Sequence, residues 1–307
     1  MSRRLQADLA LALCALIWGA TFVVVKDALA FASVFSFNAV RFTLAALVMG
    51  VVYARALRKS NWATLAAGAL IGFFMFGGYA FQTLGLKFTT PSKAAFITGA
   101  GVVMVPVLLA VFWRRRISRW AWTGAVAALV GLYFLTVPRT GFSALNVGDL
   151  LALGCAVMFA FHIILVAKYS PRYSVAALSF LQVATTAVLT ALCLPVLAVT
   201  RWEPPFVRWS PSLIAAILIT AVGATALCFS LQVWAQRYTS PTHTAILLSL
   251  EPVFAALTSL IVMRERLDAR VLSGAILVFI GILLAELKGP AQAGADSPGP
   301  VSQSSES

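Results

Sequence analysis

Long apolar stretches separated by short polar segments run along almost the whole chain. A transmembrane helix needs about 20 apolar residues to cross the hydrocarbon core of a bilayer, and roughly ten stretches meet this requirement. They cover 8–27, 34–54, 62–84, 91–113, 119–136, 146–167, 174–198, 211–234, 241–263 and 268–286. The pattern therefore predicts an all-α integral membrane protein with ten transmembrane helices.

The connections between several predicted helices are very short. Residues 85–90, 114–118 and 235–240 leave room only for antiparallel neighbours, and no soluble domain is inserted between the spans. Residues 287–307 are rich in Gly, Pro, Ser and Ala and cannot bury a core. This tail is predicted to be disordered.

Composition agrees with a membrane protein. The chain is 61% hydrophobic and 11% charged, with a mean hydropathy of +0.93, whereas soluble domains carry about 25% charged residues. The 23 Lys and Arg residues outnumber the 10 Asp and Glu, but they lie mostly between apolar stretches. We interpret them as topology signals and expect no nucleic-acid partner. The four cysteines lie in apolar stretches without metal-ligand spacing and are predicted to be small buried side chains.

The chain contains an internal repeat. Residues 88–135 match residues 238–285 at a fixed offset of 150 positions, and the shared positions include proline, arginine and glycine as well as apolar residues. The identical pairs are Thr89/Thr239, Pro91/Pro241, Ala95/Ala245, Val103/Val253, Arg114/Arg264, Arg116/Arg266, Gly124/Gly274, Ala125/Ala275 and Gly131/Gly281. Residues 1–140 and 141–286 are therefore predicted to be two copies of a five-helix unit.

The beginning of the chain supports the same division. The segment from Ala7 resembles the segment from Gly148, with Asp8 opposite Asp149. The first apolar stretch is therefore predicted to be a retained helix and not a cleaved signal peptide. Because five is odd, the second copy is expected to be inverted relative to the first. Inverted repeats around a site at the membrane midplane are the usual plan of secondary transporters.

Basic residues near the predicted span ends indicate the orientation. With a cytoplasmic N-terminus, the inner segments of the first half hold nine Lys and Arg residues and the outer segments hold three. The second half shows a weaker and reversed bias, six outer against four inner, but leading helices usually dominate. Both termini are expected in the cytoplasm, with a bacterial inner membrane as the favoured location.

Several motifs resemble those of one family. The sequence reads LEPVFA at Leu250 to Ala255 and RERL at Arg264 to Leu267, and the fourth and ninth spans open with TTPSKAAFITG and TSPTHTAILLS. Together with two five-helix repeats, these motifs resemble the EamA-type family of the drug/metabolite transporter superfamily over almost the entire chain. The resemblance implies transport of amino acids, other metabolites or toxic compounds, and it leaves the cargo open.

Glu251 is the leading candidate for a functional residue. It lies about 15 Å into the predicted ninth span, close to the middle of a core of roughly 30 Å. Pro252 disfavours helical geometry at Glu251, so a kink is expected there. One interpretation is a cavity-lining acid that takes up a coupling proton during transport. The other is a structural ion pair with Arg41 of the second span, whose side chain could also snorkel.

Two aromatic and amide pairs occupy equivalent positions in the two halves. Tyr79 and Gln82 lie in the third span, and Phe229 and Gln232 lie in the eighth. A spacing of three places each pair on one helical face, and we expect these faces to line opposite ends of one central cavity. Trp18, near the middle of the first span, belongs to the same set. Core packing with interhelical amide bonds is the alternative.

Phe96 and His162 complete the candidate cavity residues. His162 has no second ligand at metal-site spacing, so a hydrogen bond within the bundle is expected instead of a metal site. No cofactor is expected. The candidate helix-start and kink prolines are Pro91, Pro106, Pro241 and Pro252.

Small residues in the fifth and tenth spans predict close helix packing. Gly124, Gly131, Gly274 and Gly281 permit close backbone approach, either within the fold or in a dimer. The chain is therefore expected to be a monomer or a homodimer in the lipid bilayer.

The leading functional hypothesis is a secondary transporter, an exporter of small organic metabolites such as amino acids, that works by alternating access. Import of a sugar or a carboxylate is an alternative. A membrane-embedded lipid-modifying enzyme is the alternative of another class, but no Ser/His/Asp set, HExxH motif or carboxylate pair is found, so no enzymatic activity is expected. The sequence contains no Walker motif, so nothing in it indicates that ATP hydrolysis drives transport.

Overall fold

The computed structural model describes residues 1–85, 88–89, 96–137, 141, 145–263 and 269–288. Regular secondary structure in this part of the chain is helical, apart from an isolated antiparallel bridge between Ala32 and Val207. The predicted all-α class is confirmed.

The helices follow the predicted apolar stretches. In chain order they are α1 (Arg3–Ala28), α2 (Val34–Val52), α3 (Trp62–Gly85), α4 (Gly101–Phe112), α5 (Arg119–Thr136), α6 (Val147–Tyr169), α7 (Val175–Thr200), α8 (Pro211–Ala235), α9 (Pro241–Leu248), α10 (Glu251–Met263) and α11 (Ala269–Lys288). A single helical turn, Ala54–Leu57, follows α2. The stretch 241–263 is thus two helices, with a break at Ser249 and Leu250.

Several described helices are long and apolar enough to cross a membrane. By length and composition these are Val34–Val52, Trp62–Gln82, Val147–Tyr169, Val175–Thr200 and Pro211–Ala235. Two shorter apolar helices are Phe96–Phe112 and Ala269–Ala285. Large apolar side chains such as Leu47, Leu192 and Val199 remain exposed on the helix surfaces, as expected where lipid surrounds the protein. The structure thus supports an integral, multi-pass membrane protein.

Side-chain caps set the beginnings of the helices. The capping residues are Ser2, Asn61, Ser118, Asn146, Ser174, Ser210 and Ser240. Each accepts a hydrogen bond from the backbone N–H three residues later, which satisfies one of the N–H groups that a helix leaves free. Pro211 and Pro241 occupy the first helical position, where a missing N–H is tolerated.

Helices α5 and α11 lie backbone to backbone at two pairs of glycines. A Cβ added at Gly131 would lie 2.6 Å from the carbonyl oxygen of Gly274, and one added at Gly274 would lie 2.7 Å from that of Gly131. Gly124 and Gly281 show the same reciprocal relation, at 2.6 Å in each direction. The two helices therefore contact each other as a pseudo-symmetric pair, and only glycine allows this separation.

Helix α3 packs just as closely on α7. A Cβ added at Gly68 would lie 2.3 Å from Cβ of Leu181, and one at Gly72 would lie 2.6 Å from the carbonyl oxygen of Gln182. Gly68 lies near the beginning of α3 and Leu181 near the beginning of α7. The two helices consequently run parallel and begin at the same end of the molecule.

Two acidic residues connect helix ends at equivalent places. Asp149, in the first turn of α6, accepts a hydrogen bond of 2.6 Å from the hydroxyl of Thr89. Asp8 in α1 lies 3.2 Å from Nε2 of His243, in the first turn of α9. Asp8 and Asp149 are the residues that the internal repeat aligns, so each joins its helix to the opening of the fourth or ninth span.

Parts of the sequence-based prediction lie outside the described residues. These are Pro91, the RERL motif and residues 289–307 of the tail. Helix α11 continues to Lys288, two residues past the boundary predicted for the tail.

Replacing Gly131 by alanine tests the contact between α5 and α11. The new Cβ would meet backbone atoms of Gly274 and Val278, so the helices must separate, at a cost of about 1–3 kcal/mol. We expect a lower thermal unfolding temperature for the purified protein in detergent. Gly223→Ala is the matched control, because no atom lies within 4 Å of its added Cβ. Equal unfolding temperatures for the two variants would contradict the close contact.

Candidate functional site

The interior of the molecule contains a π-helical segment of α8, Ile219–Leu227. The wider π turn is rare and is often found at functional sites. Two side chains from other helices bind this segment. Nε1 of Trp18 donates to the carbonyl oxygen of Ala224 at 2.7 Å, and Nε of Arg41 donates to the hydroxyl of Thr225 at 2.8 Å. Helices α1 and α2 thus hold the irregular part of α8 in place.

Arg41 is buried among aromatic rings. Its guanidinium carbon lies 5.2 Å from the ring centroid of Phe42 and 5.6 Å from that of Tyr79, within the range of cation–π attraction. The structure does not bring Arg41 and Glu251 together as an ion pair, since Arg41 is bound to Thr225 instead. Glu251 nevertheless lies near the same region, because its carbonyl oxygen approaches Gly19, the chain neighbour of Trp18.

Aromatic side chains from both halves of the chain form one continuous group, here called the aromatic cluster: Trp18, Tyr79, Phe159, His162 and Phe229. The ring centroid of Phe229 lies 5.3 Å from Trp18 and 5.9 Å from His162. Phe159 lies 6.4 Å from His162 and 5.5 Å from Tyr79. The sequence singled out four of these residues, and Phe159 is the repeat counterpart of Trp18. Candidates from α1, α3, α6 and α8 are therefore neighbours in the fold.

One buried amide group contacts the aromatic cluster, and a second follows Phe229 by three residues on α8. Oε1 of Gln182 lies 2.8 Å from Nε2 of His162. Nε2 of Gln182 and Oε1 of Gln232 are buried and have no hydrogen-bond partner. Leaving such a group unpaired costs about 1–3 kcal/mol, so unpaired amides in an interior call for an explanation such as a bound ligand. The alignment of the two halves places Gln182 opposite Arg41, but an amide in an apolar helix did not by itself mark it as a site residue.

Glu251 opens α10 directly after the helix break. Its side chain is half-buried, and no hydrogen bond or ion pair joins it to another described side chain. Because Pro252 has no N–H, the carbonyl group of Leu248 loses its usual helical donor. Helix α1 approaches this place closely, since a Cβ added at Gly19 would lie 2.6 Å from the carbonyl oxygen of Glu251. Glu251 therefore lies at an irregular point of the backbone beside α1.

Two predicted cavity residues are not among the five that define the aromatic cluster. Phe96 packs against Tyr133 of α5, with 5.9 Å between ring centroids, and belongs to the apolar contact between α4 and α5. Gln82 is half-buried on α3, three residues after Tyr79. Spacing along a helix fixed the face of each residue but not the helix that would cover it.

The remaining candidates take distinct places. Pro106 lies inside α4, Pro241 is the first residue of α9, and Pro252 is the second residue of α10. The described part of the chain contains no group of three His, Cys, Asp or Glu side chains that could hold a metal ion. Its cysteines are unpaired thiols.

Comparison with protein families gives a match over nearly the whole chain. The model of the EamA-like transporter family matches twice, over residues 5–137 and 146–287. Each match covers one of the two halves seen in the internal repeat.

Individual proteins agree with this match. An uncharacterized transporter of Archaeoglobus fulgidus is 38% identical over 286 residues, which is 93% of this chain and 87% of that protein. The uncharacterized transporter YvbV of Bacillus subtilis is 25% identical, with 94% of this chain and 93% of that protein covered. One crystal structure shares the fold with a TM-score of 0.78 and 21% identity, over 92% of this chain and 96% of that one. The chain therefore belongs to the EamA-like transporter family and is a membrane transporter.

Proposed function

We propose that this protein is a secondary transporter that exports small organic metabolites such as amino acids. The observation that carries the proposal is the aromatic cluster, because it combines apolar ring faces with buried amide groups that lack partners. A solute with an apolar part and polar ends would fill such a place, since the rings contact its apolar part and the amides pair with its polar groups.

The polar groups match the two ends of an amino acid. Nε2 of Gln182 is a donor, which suits a carboxylate, whereas Oε1 of Gln232 is an acceptor, which suits an ammonium group. In its charged form, Glu251 adds a negative charge on α10, where that helix meets α1 next to Trp18. This distribution of donors and acceptors favours a zwitterionic amphipathic solute over a sugar, which would need hydroxyl partners on all sides.

Two inverted five-helix repeats are the proposed architecture for alternating access. Three observations support it: the double match of the family model, the reciprocal glycine contacts between α5 and α11, and the equivalent contacts of Asp8 and Asp149. In the proposal the repeats rock about the aromatic cluster and open it to one side of the membrane at a time. Both termini are placed in the cytoplasm, and the membrane is proposed to be a bacterial inner membrane.

A proton is the proposed coupling ion, and Glu251 is its proposed carrier. A half-buried carboxylate at an irregular point of a membrane helix is costly in its charged form and marks a functional position in many membrane proteins. Protonation would remove this charge beside α1 and change the contact that Gly19 makes with α10. In this way a proton could shift the balance between the two states.

Replacing Gln232 by methionine separates a binding role from a packing role. Gln232 is 2% exposed and its Oε1 has no partner, so an apolar side chain of similar size should raise the thermal unfolding temperature, while transport of labelled amino acids into liposomes should fall. Gln236 is also 2% exposed and its Oε1 is also unpaired, but its Nε2 donates to the carbonyl oxygen of Ile163 at 2.8 Å, a bond that methionine cannot form. Its methionine variant should lose stability instead. A Gln232 variant that is stabilised and transports at the wild-type rate would contradict the binding role.

Reconstitution in liposomes tests the transport function and the coupling together. A panel of labelled amino acids is offered with and without an imposed proton gradient, and we expect the gradient to drive accumulation of at least one of them. Glu251→Gln should remove the effect of the gradient and leave downhill exchange intact. Asp27→Asn, which changes an exposed acid at the end of α1, should behave like the wild type. Gradient-driven accumulation by a folded Glu251→Gln variant would disprove coupling through Glu251.

Cysteine labelling tests the orientation. The half-exposed Cys193 is first replaced by serine, and a single cysteine is then introduced by Ser60→Cys or by Leu145→Cys. Position 60 lies between α2 and α3, and position 145 lies between α5 and α6. A membrane-impermeant maleimide added to intact cells should label position 145 and leave position 60 unlabelled. The opposite result would invert the proposed topology.

A further inference from the structure

A polar cleft lies at the end of the molecule where α3 and α7 begin. Its volume is about 550 Å³, and it is lined by the connection between α2 and α3 and by the connection between α6 and α7. It shares no residue with the aromatic cluster. We call it the basic cleft, after its three basic side chains, Arg55, Lys59 and Arg172.

The positive charge of the basic cleft is not neutralised locally. Its lining contains no carboxylate, and no Asp or Glu occurs in residues 53–64 or 168–174. The side chains of Arg55, Lys59 and Arg172 are exposed, and no ion pair joins any of them to another described residue. Three cations around one concave surface attract anions and hold them more strongly than scattered surface charges do.

The helix arrangement adds to this potential. Helices α3 and α7 run parallel in close contact, so both N-termini, the positive ends of the helix dipoles, point to the same cleft. Their capping residues Asn61 and Ser174 line it as well. A fourth basic residue in the vicinity, Arg237, has a different role. It donates to the carbonyl oxygens of Ser170 and Tyr173 and thereby fixes the connection between α6 and α7.

Apolar side chains beside the basic cleft face the surroundings of the protein. Val51 and Val52 at the end of α2 are 80% and 68% exposed, and Trp62 at the start of α3 is 81% exposed. Tryptophan is enriched where membrane and water meet, which is also the depth of phospholipid headgroups. The cations of the cleft therefore suit the phosphate group of a phospholipid, and the exposed apolar surface beside them suits its acyl chains.

We propose that the basic cleft binds a phosphate-bearing anion, with its phosphate group between Arg55, Lys59 and Arg172. Guanidinium groups form paired, charge-assisted hydrogen bonds with phosphate oxygens, and lysine adds a point charge. The phosphate could belong to an anionic phospholipid headgroup or to a soluble phosphate. The chemistry of recognition is the same for both sources.

The test uses the full-length protein in detergent micelles with two probes, short-chain phosphatidylglycerol and inorganic phosphate. Binding is measured by native mass spectrometry and by the shift in thermal unfolding temperature, with short-chain phosphatidylcholine as the reference lipid. We expect the triple variant R55Q/K59Q/R172Q to bind about tenfold more weakly or worse, because it loses all three charge-assisted hydrogen bonds to the phosphate group. The variant R55K/R172K, which keeps the charge, should retain most of the binding.

The matched control is R58Q/R114Q/R116Q, which removes the same number of exposed basic charges outside the cleft and should bind like the wild type. Binding of phosphatidylglycerol alone would support the proposal and identify a lipid headgroup, whereas binding of inorganic phosphate alone would support it and identify a soluble anion. Binding of neither probe, or an equal loss in the cleft and control variants, would overturn the proposal.

Discussion

The need to satisfy every backbone hydrogen-bonding group without water governs this structure. Within a bilayer, regular helices meet that need by themselves, and irregular backbone survives only where the protein supplies partners. In the π-helical segment of α8, the carbonyl oxygen of Ala224 accepts a hydrogen bond from Trp18, and the side chain of Thr225 accepts one from Arg41. The break before Glu251 lies in close contact with Gly19 of α1. Both irregularities border the same interior region, which is why that region is the candidate site.

Close contacts between helices provide the frame around this region. Lipid tails are as apolar as leucine side chains, so burial of apolar surface does little to hold membrane helices together, and close packing takes its place. Glycines accordingly lie where backbones meet, between α5 and α11 and between α3 and α7. These contacts leave the aromatic cluster between α1, α3, α6 and α8, with rings at 5.3–6.4 Å from one another. The frame is tight and the centre is polar in places, as a transporter requires.

The sequence predicted the site unevenly, and the reason is physical. Aromatic and amide residues at mid-span positions stood out because such side chains are unusual in apolar helices, and Trp18, Tyr79, His162 and Phe229 do meet. Phe96 satisfied the same criterion but packs against α5, because the side that a neighbouring helix covers depends on tertiary contacts. The idea of an Arg41–Glu251 pair rested on charge alone. In the structure Thr225 and two aromatic rings already occupy the surroundings of Arg41.

The sequence by itself determined the membrane class, the helix positions and the family resemblance. These follow from the apolar periodicity, the basic residues and the internal repeat, all of which are visible along the chain without the tertiary structure. The sequence also predicted the glycines of α5 and α11 as packing positions, because glycine permits close backbone approach. The π-helical segment, the unpaired amides of Gln182 and Gln232, and the basic cleft were decided only by the tertiary structure. The basic cleft and the surroundings of the two amides bring together residues distant in the chain, and the π-helical segment is bound by the distant residues Trp18 and Arg41. No spacing along the sequence records which distant groups become neighbours.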